Sequence, residues 1–268
     1  MNKKTTYSLL AFLILLGVYG YDFFLNKSEA TAVFKQGQAV KKETNAYFLP
    51  SSTTGQILHH EGYSLSYSEP HEQAEWVAYE LKKSHLSKLK HKRPYFQVDK
   101  AVKTGAAHWR NYKKSGYDRG HLCPAGDRRY TKFAHDETFL TSNITPQKHP
   151  FNSGVWNRLE QKVRYWAGKY NGVFVITGGV LKGNMKTIGK EAVSVPNQFY
   201  KILIDNNTGK TKMIAFLMPH KDSKKPLYEF VVSVDEIERL TGIDFCPQLD
   251  DELENKLEAS SSYKAWSF

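Results

Sequence analysis

Residues 117–127 read YDRGHLCPAGD, and residues 143–160 read NITPQKHPFNSGVWNRLE. The first stretch places a histidine, His121, two residues after an arginine, Arg119. In the second stretch Asn152 opens a segment with helical spacing of apolar residues, and Glu160 lies two turns further along that segment. The two stretches therefore predict an imidazole and a guanidinium near an amide and a carboxylate on a neighbouring helix.

This combination of side chains is suited to hydrolysis of a phosphodiester. Histidine can act as a base near neutral pH, and arginine donates forked hydrogen bonds to phosphate oxygens. Mg²⁺ prefers oxygen ligands and keeps several waters, so one amide oxygen with a carboxylate near those waters can suffice. Read singly, Asn152 would be a helix N-cap, Glu160 a solvated acid or a partner of Arg164, and Arg119 a surface cation.

The positive charge of the chain is concentrated around the first stretch. The 268 residues carry a formal net charge of +11. Residues 82–132 hold fifteen Lys or Arg against three acidic residues, whereas the rest of the chain is close to neutral. A localised basic field favours a polyanionic partner such as nucleic acid, although a solvated cationic surface would give the same composition.

The pattern around these stretches predicts an α+β fold with a mixed or antiparallel central sheet and flanking helices. A helix is expected from Ser68-Glu69-Pro70 to Leu81, because Ala74, Val77, Ala78 and Leu81 recur at helical spacing. A second helix is expected over 152–169, with a buried stripe of Val155, Trp156, Leu159, Val163 and Trp166 or Ala167. Strands are expected within 57–68 and at 139–144, 173–177, 199–205, 212–217 and 227–234, with a short helix at 235–240 closed by Gly242.

The N-terminus is typical of a targeting segment. Lys3 and Lys4 precede an apolar run of about 15 residues, which is the length of a signal-peptide core. We therefore expect export, to a periplasmic or secreted location or with membrane anchoring by this segment. The predicted division is a signal peptide or anchor at 1–25, a linker at 26–45 and one catalytic domain at 46–268.

The sequence lacks the motifs of serine hydrolases, zinc proteases of the HExxH type and dinucleotide-dependent enzymes. The chain has no Walker A loop, GxGxxG fingerprint, HExxH helix or GxSxG elbow. Its two cysteines, Cys123 and Cys246, allow either one disulfide or two free buried thiols.

At this point the chain resembles the DNA/RNA non-specific endonucleases of the ββα-metal fold, which include endonuclease G. The resemblance is carried by Asp118-Arg119-Gly120-His121 and by the Asn-x-x-Pro-Gln…Asn-x-x-x-Trp-x-x-Leu-Glu run. It implies a ββα-metal motif at the site, DNA and RNA as substrates bound through their backbones, and products with 5′-phosphates. It also implies a divalent cofactor, Mg²⁺ or Mn²⁺.

The resemblance further implies a role for each matching residue. His121 matches the general base, Asn152 the protein ligand of the ion, and Glu160 the acid beside the ion's waters. Arg119 matches an arginine that contacts phosphate, and Arg164 one that stabilises transition-state charge. Asn143 is expected to support the base. From the residues themselves, Asp118 is expected to support the site by pairing with an arginine or capping the loop. The histidines His60, His71, His85, His91, His108 and His149 are expected to be structural or exposed.

The resulting hypothesis is a metal-dependent, non-specific endonuclease that acts outside the cytoplasm. The main alternative is an exported protein that binds nucleic acid on an inactive nuclease scaffold. A phosphodiesterase for small substrates and a toxin with a partner inhibitor are further alternatives.

Overall fold

The computed structural model describes residues 48–268. The predicted targeting segment at 1–25 and linker at 26–45 lie outside the described residues, so both stay predictions. Within the described part, no helix combines the length and the apolar character needed to cross a bilayer.

A seven-stranded sheet forms the centre of the fold, and every pairing in it is antiparallel. Its strand order is β1-β2-β3-β6-β9-β10-β11. The members are β1 (Ile57–His59), β2 (Ser64–Ser68), β3 (Gln73–Lys82), β6 (Gly172–Gly179), β9 (Gln198–Asp205), β10 (Lys212–Pro219) and β11 (Val231–Val232). Two further hairpins pair β4 (Asp118–His121) with β5 (Ile144–Gln147) and β7 (Lys186–Ile188) with β8 (Val193–Val195).

Helices cover both faces of the sheet. The α-helices are α1 (Lys132–Glu137), α2 (His149–Phe151), α3 (Asn157–Lys169), α4 (Val234–Thr241) and α5 (Asp251–Glu258). A π-helical turn, Asn152–Trp156, joins α2 to α3. Short 3₁₀ helices lie at Glu69–His71, Lys83–His85, Trp109–Tyr112, Ala125–Asp127, Thr141–Asn143 and Leu227–Phe230.

The hydrophobic core is divided between the two faces because side chains alternate along each strand. Leu203 of β9 packs with Leu159, Val163 and Trp166 of α3 on one face. Ile202 of the same strand packs with Val234 and Ile237 of α4 on the other. The predicted buried stripe of the second helix is confirmed, since its members are at most 1% exposed.

The α+β prediction is confirmed, and three predicted elements are wrong in type or extent. The predicted helix ending at Leu81 is strand β3, preceded by a single 3₁₀ turn. The strand predicted at 139–144 is a 3₁₀ turn followed by β5, which begins at Ile144 and includes Pro146. Only Val231–Val232 of the strand predicted at 227–234 is extended in the sheet.

Local signals account for the elements that were predicted correctly. The β9–β10 hairpin turns through Asn206-Asn207-Thr208-Gly209, where Gly209 has a φ of +78°. Ser233 caps α4 by accepting a hydrogen bond from the backbone N–H of Glu236. Gly242 ends that helix in the left-handed conformation, as predicted.

Candidate active site

The stretches at 117–127 and 143–160 form a pair of antiparallel strands followed by a helix. Strand β4 pairs antiparallel with β5, so that His121 lies opposite Ile144 and Asp118 opposite Gln147. A Cβ atom at Gly120 would overlap the side chain of Gln147, which explains glycine between the arginine and the histidine. From β5 the chain continues through α2 and the π turn into α3, which gives a ββα unit.

His121 ends β4 against two phenylalanine rings. Its ring centroid lies 4.9 Å from that of Phe139 and 5.7 Å from that of Phe96. Its Nε2 atom is buried and has no hydrogen-bond partner among residues 48–268. Burial lowers the pKa of His121 to about 3, and the charges of Arg93 and His135 act in the same direction. The imidazole is therefore neutral at physiological pH and can accept a proton.

Arg119 lies on the same side of β4 as His121, since the two residues are two positions apart. Its guanidinium carbon is 5.3 Å from the ring centroid of Phe96 and 5.7 Å from that of Trp109. Its Nε donates to the Trp109 carbonyl at 3.4 Å. No carboxylate of the described chain lies within ion-pair distance of Arg119, so its terminal N–H groups remain for an anionic ligand.

Arg93 joins this cluster although the sequence analysis left it within the basic segment. Its guanidinium carbon lies 5.4 Å from the Phe96 ring centroid and 5.6 Å from that of Phe139. The shared rings bring Arg93, Arg119 and His121 around one aromatic pair. Nothing in the local sequence separated Arg93 from the other cations of the basic segment.

Asn152 is oriented by Asp118. The Nδ2 atom of Asn152 donates to Oδ2 of Asp118 at 2.9 Å, and Nδ1 of the exposed His149 lies 2.9 Å from the same oxygen. The expectation that Asp118 pairs with an arginine or caps the loop is therefore wrong. The Oδ1 atom of Asn152 makes no hydrogen bond with any residue that the structure describes, so it is available to a cation. The helical segment begins at His149, and Asn152 lies inside it rather than at its N-cap.

Glu160 and Arg164 lie one turn apart on α3, as predicted. The Nη1 atom of Arg164 lies 2.7 Å from Oδ1 of Asp127, whose other carboxylate oxygen accepts from the Tyr79 hydroxyl at 2.8 Å. Asp127 is 1% exposed. Because both of its oxygens are bound by neighbouring side chains, Asp127 positions Arg164.

The contacts tie the helical segment to the chain on both sides of His121. Asn152 contacts Asp118 before the histidine, and Arg164 contacts Asp127 after it. Within residues 48–268, His121 makes no hydrogen bond with Asn152 or Glu160. These two contacts hold the helical segment against the chain that flanks β4. The imidazole of His121 itself makes no hydrogen bond to that segment in the described chain.

Comparison with known proteins identifies the family. Residues 41–252 match the family model described as DNA/RNA non-specific endonuclease. The chain belongs to this endonuclease family. It is 34% identical to mitochondrial nuclease EXOG of Danio rerio over 230 residues, which are 80% of this chain and 67% of that protein. It is 33% identical to human mitochondrial endonuclease G over 222 residues, 77% of this chain and 74% of the relative.

A solved structure supports the same assignment. A chain from the EndoG/EndoGI complex, a crystal structure that addresses the mechanism of EndoG inhibition, superimposes with a TM-score of 0.69 at 30% identity. The match covers 74% of this chain and 88% of the other. The ββα-metal fold of the endonuclease is thereby confirmed, and the enzyme is a hydrolase of phosphodiester bonds.

The endonuclease contains a buried lysine at its site that the sequence analysis missed. Lys201 of β9 is 1% exposed, and its Nζ lies 4.7 Å from the ring centroid of Trp156 without a hydrogen-bond partner in the described chain. Burial raises the pKa of Glu160 to about 7, and the Lys201 charge opposes that rise. Burial lowers the pKa of Lys201 to about 8. The sequence offered one indication of this residue, namely a single lysine within the otherwise apolar run 199–204.

Asn143 supports the segment that follows the histidine. Its Oδ1 accepts from the backbone N–H of Cys123 at 2.8 Å, and its Nδ2 donates to the carbonyls of Cys123 and Thr138 at 3.0 and 2.9 Å. Because backbone groups occupy this amide, Asn143 holds the loop after His121 in place. Its expected support of the base stays a prediction.

Cys123 and Cys246 are free and buried, so of the two alternatives, one disulfide or two free thiols, the structure has the second. Cys123 packs in the core beneath α3 and Cys246 in the core beneath α4, on opposite faces of the sheet. Burial raises the pKa of the Cys123 thiol to about 12. Cys123 therefore adjoins the site as a packing residue and not as a thiolate nucleophile.

Proposed function

We propose that this endonuclease cleaves DNA and RNA without sequence preference, depends on Mg²⁺ or Mn²⁺, and leaves 5′-phosphate ends. One observation carries the proposal. A single ββα unit holds a neutral imidazole with an unbonded, buried Nε2 and an asparagine whose amide nitrogen is taken by Asp118. The first group can accept a proton, and the second leaves an oxygen for a hard cation.

The residues present fit a divalent ion of this type. Asn152 would hold the ion through Oδ1, and Glu160 would accept hydrogen bonds from the waters around it. Both donors are oxygens, which Mg²⁺ and Mn²⁺ prefer over nitrogen or sulfur ligands. When bound, the ion supplies positive charge that stabilises the developing charge on the phosphate and on the departing 3′-oxygen.

The protein's own groups perform the remaining steps. His121 accepts the proton of the attacking water, and its pKa rises when an anionic phosphate lies beside the ring. Arg119 donates its free N–H groups to a phosphate oxygen, which holds the scissile group in position. Arg164, fixed by Asp127, directs a positive charge towards charge that develops during cleavage.

The partner and the location follow from other parts of the chain. Contacts with phosphates rather than base edges explain cleavage without sequence preference, and the basic residues at 82–132 supply the field for them. We also propose that the N-terminal segment exports the enzyme or anchors it to a membrane. N-terminal sequencing of the mature protein tests this, and an intact Met1 in a protein recovered from the cytoplasm contradicts it.

Digestion of plasmid DNA and of RNA, each with Mg²⁺ or EDTA, tests the proposed function. We expect EDTA to abolish cleavage and His121→Ala to reduce it about 10²–10⁴-fold, as loss of a general base does. The half-buried His71, bonded to Ser194, provides the matched control His71→Ala, which should retain activity. Retained DNA binding without metal-dependent cleavage at any pH from 6 to 9 would favour the alternative, an exported nucleic-acid-binding protein on an inactive scaffold.

A further inference from the structure

Three carboxylates meet where α5 packs against α4, on the sheet face opposite α3. They belong to Asp235 in the first turn of α4, to Glu238 in the following turn, and to Glu258, the last residue of α5. One oxygen from each lies within 4.8 Å of the others. Asp235 is exposed and Glu238 is half-buried, so the cluster opens to solvent on one side.

Glu258 is the unusual member of this cluster. It is 5% exposed, and its Oε1 is buried without a hydrogen-bond partner in the part of the chain that the structure describes. Burial and the negative charges of Glu238, Glu254 and Asp244 raise its pKa to about 8. Its place at the C-terminal end of a helix is also unfavourable for an anion, because the helix dipole is negative there.

Basic side chains do not compensate this charge. Among residues 48–268, no lysine, arginine or histidine lies within 4.0 Å of a carboxylate oxygen of Asp235, Glu238 or Glu258. A buried, unpartnered carboxylate among other carboxylates is costly unless a cation or a proton joins it.

The spacing of the oxygens matches a calcium ion. Calcium binds oxygens at about 2.3–2.6 Å, so two ligands on opposite sides of one ion lie about 4.6–5.2 Å apart. All three oxygens can therefore reach the same ion. The Oε1 atom of Glu238 accepts from the backbone N–H of Phe245 at 2.9 Å, which holds that carboxylate in place and leaves its second oxygen free.

We propose that Asp235, Glu238 and Glu258 bind one calcium ion that fastens α5 to α4. The site is separate from the nuclease residues, which lie on the ββα unit on the other side of the sheet. Its ligands are all oxygens, and waters complete the coordination on the exposed side. The alternative occupant of the same geometry is a proton on Glu258 that is shared with Glu238 or Asp235.

Thermal unfolding of the full chain tests the site, with calcium chloride added after removal of metals by EDTA and dialysis. With a dissociation constant of about 10⁻⁴–10⁻³ M, 10 mM calcium should raise Tm by about 3–10 °C. Asn152→Ala should keep this response because it alters only the nuclease site. Glu258→Gln should abolish it, while the matched variant Glu252→Gln, at an exposed position of the same helix, should leave it intact.

A second variant keeps the proposal testable if Glu258→Gln fails to fold. Asp235→Asn changes an exposed position, and it should raise the calcium concentration of half-maximal response about tenfold because one charged ligand is lost. The proposal is overturned if calcium leaves the Tm of the Asn152→Ala protein unchanged, since a proton alone then occupies the cluster. An undiminished response in Glu258→Gln would equally refute it. Neither outcome bears on nuclease activity, which distinguishes this failure from that of the proposed function.

Discussion

At the scale of single residues, the charge of Lys201 opposes the rise that burial causes in the pKa of Glu160. Lys201→Met removes the positive charge that favours the ionised carboxylate, so the pKa of Glu160 should rise further above its usual range. If Glu160 acts as a carboxylate, the acidic limb of the pH–activity profile should lie at higher pH in Lys201→Met than in the unaltered enzyme, with recovery of activity at alkaline pH. In the free enzyme, whose pKa values the profile of kcat/KM reports, His121 has a pKa of about 3 and does not contribute to that limb.

Two further variants serve as controls for this prediction: a lysine substitution away from the site, and the double substitution of Lys201 and Glu160. The exposed Lys190→Met should leave the profile unchanged. Lys201→Met should also lower Tm, because a buried carboxylate loses its counter-charge, and adding Glu160→Gln should restore part of that loss. An acidic limb at the same pH in Lys201→Met and in the unaltered enzyme would show that Lys201 does not act on Glu160.

Asp118 is predicted to act through Asn152 by fixing the direction of its amide. Asp118→Ala frees that amide to rotate, so we expect activity to fall about 10–100-fold and half-maximal activation to need more Mg²⁺. A Mg²⁺ titration of initial rates measures both effects. His149→Ala removes the other neighbour of the same carboxylate oxygen and should give a titration close to that of the unaltered enzyme. Equal titrations for the two variants would remove Asp118 from this role.

Single residues also show how far reasoning from sequence reaches. The predicted residues His121, Asn152, Glu160 and Arg164 lie on one strand and one helical segment, and each element is continuous in the sequence. Lys201 and Arg93 reach the site from a distant strand and loop, and no local spacing marks such contacts. The same holds for Asp118, whose partner depends on how the helical segment crosses the hairpin.

At the scale of elements, β3 shows why a periodic pattern can mislead. Ala74, Val77, Ala78 and Leu81 fit one face of a helix, yet residues 73–79 are all buried. Such a central strand is covered on both faces, so its apolar residues form a nearly continuous run that does not alternate. In contrast, α3 is exposed on one side, and its apolar stripe predicted the helix correctly.

The junction between the π turn and α3 is the element on which the position of Asn152 depends. A Cβ atom at Gly154 would overlap the carboxylate of Asp222, and Asp222 Oδ1 accepts from the backbone N–H of Val155 at 3.1 Å. Gly154→Ala should therefore destabilise the fold by about 1–3 kcal/mol and reduce activity up to about 100-fold through displacement of Asn152. Urea unfolding and initial rates measure the two effects.

Gly168→Ala is the matched control for this junction because Gly168 lies near the end of α3. There the added Cβ would meet only Cδ1 of Leu86, at 3.3 Å, which is the end of a flexible side chain. Alanine favours a helix over glycine by about 1 kcal/mol, so stability should stay level or rise. If Gly154→Ala were as active and as stable as Gly168→Ala, the junction would not be what positions Asn152.

At the scale of the whole molecule, the basic segment leads to the candidate active site. After β3 ends, Lys83, Lys88, Lys90 and Lys92 are exposed, and the segment reaches Arg93 beside the rings that flank His121. The excess of positive charge in this part of the sequence therefore forms a row of exposed lysines that runs from the end of β3 to the candidate active site. We therefore expect a nucleic-acid backbone attracted to this segment to reach the imidazole of His121.

This arrangement predicts how DNA binding depends on salt. In EDTA, where cleavage is blocked, the logarithm of affinity should fall linearly with the logarithm of salt concentration, by about 0.9 per phosphate neutralised. Neutralising Lys88, Lys90 and Lys92 with glutamine should make the slope shallower by about 2–3. The triple variant of the exposed Lys182, Lys190 and Lys210 removes the same charge outside the segment and should keep the slope. Fluorescence anisotropy with a duplex between 50 and 200 mM salt separates the two. Equal slopes in both triple variants would mean that net charge, rather than the position of these lysines, attracts the substrate.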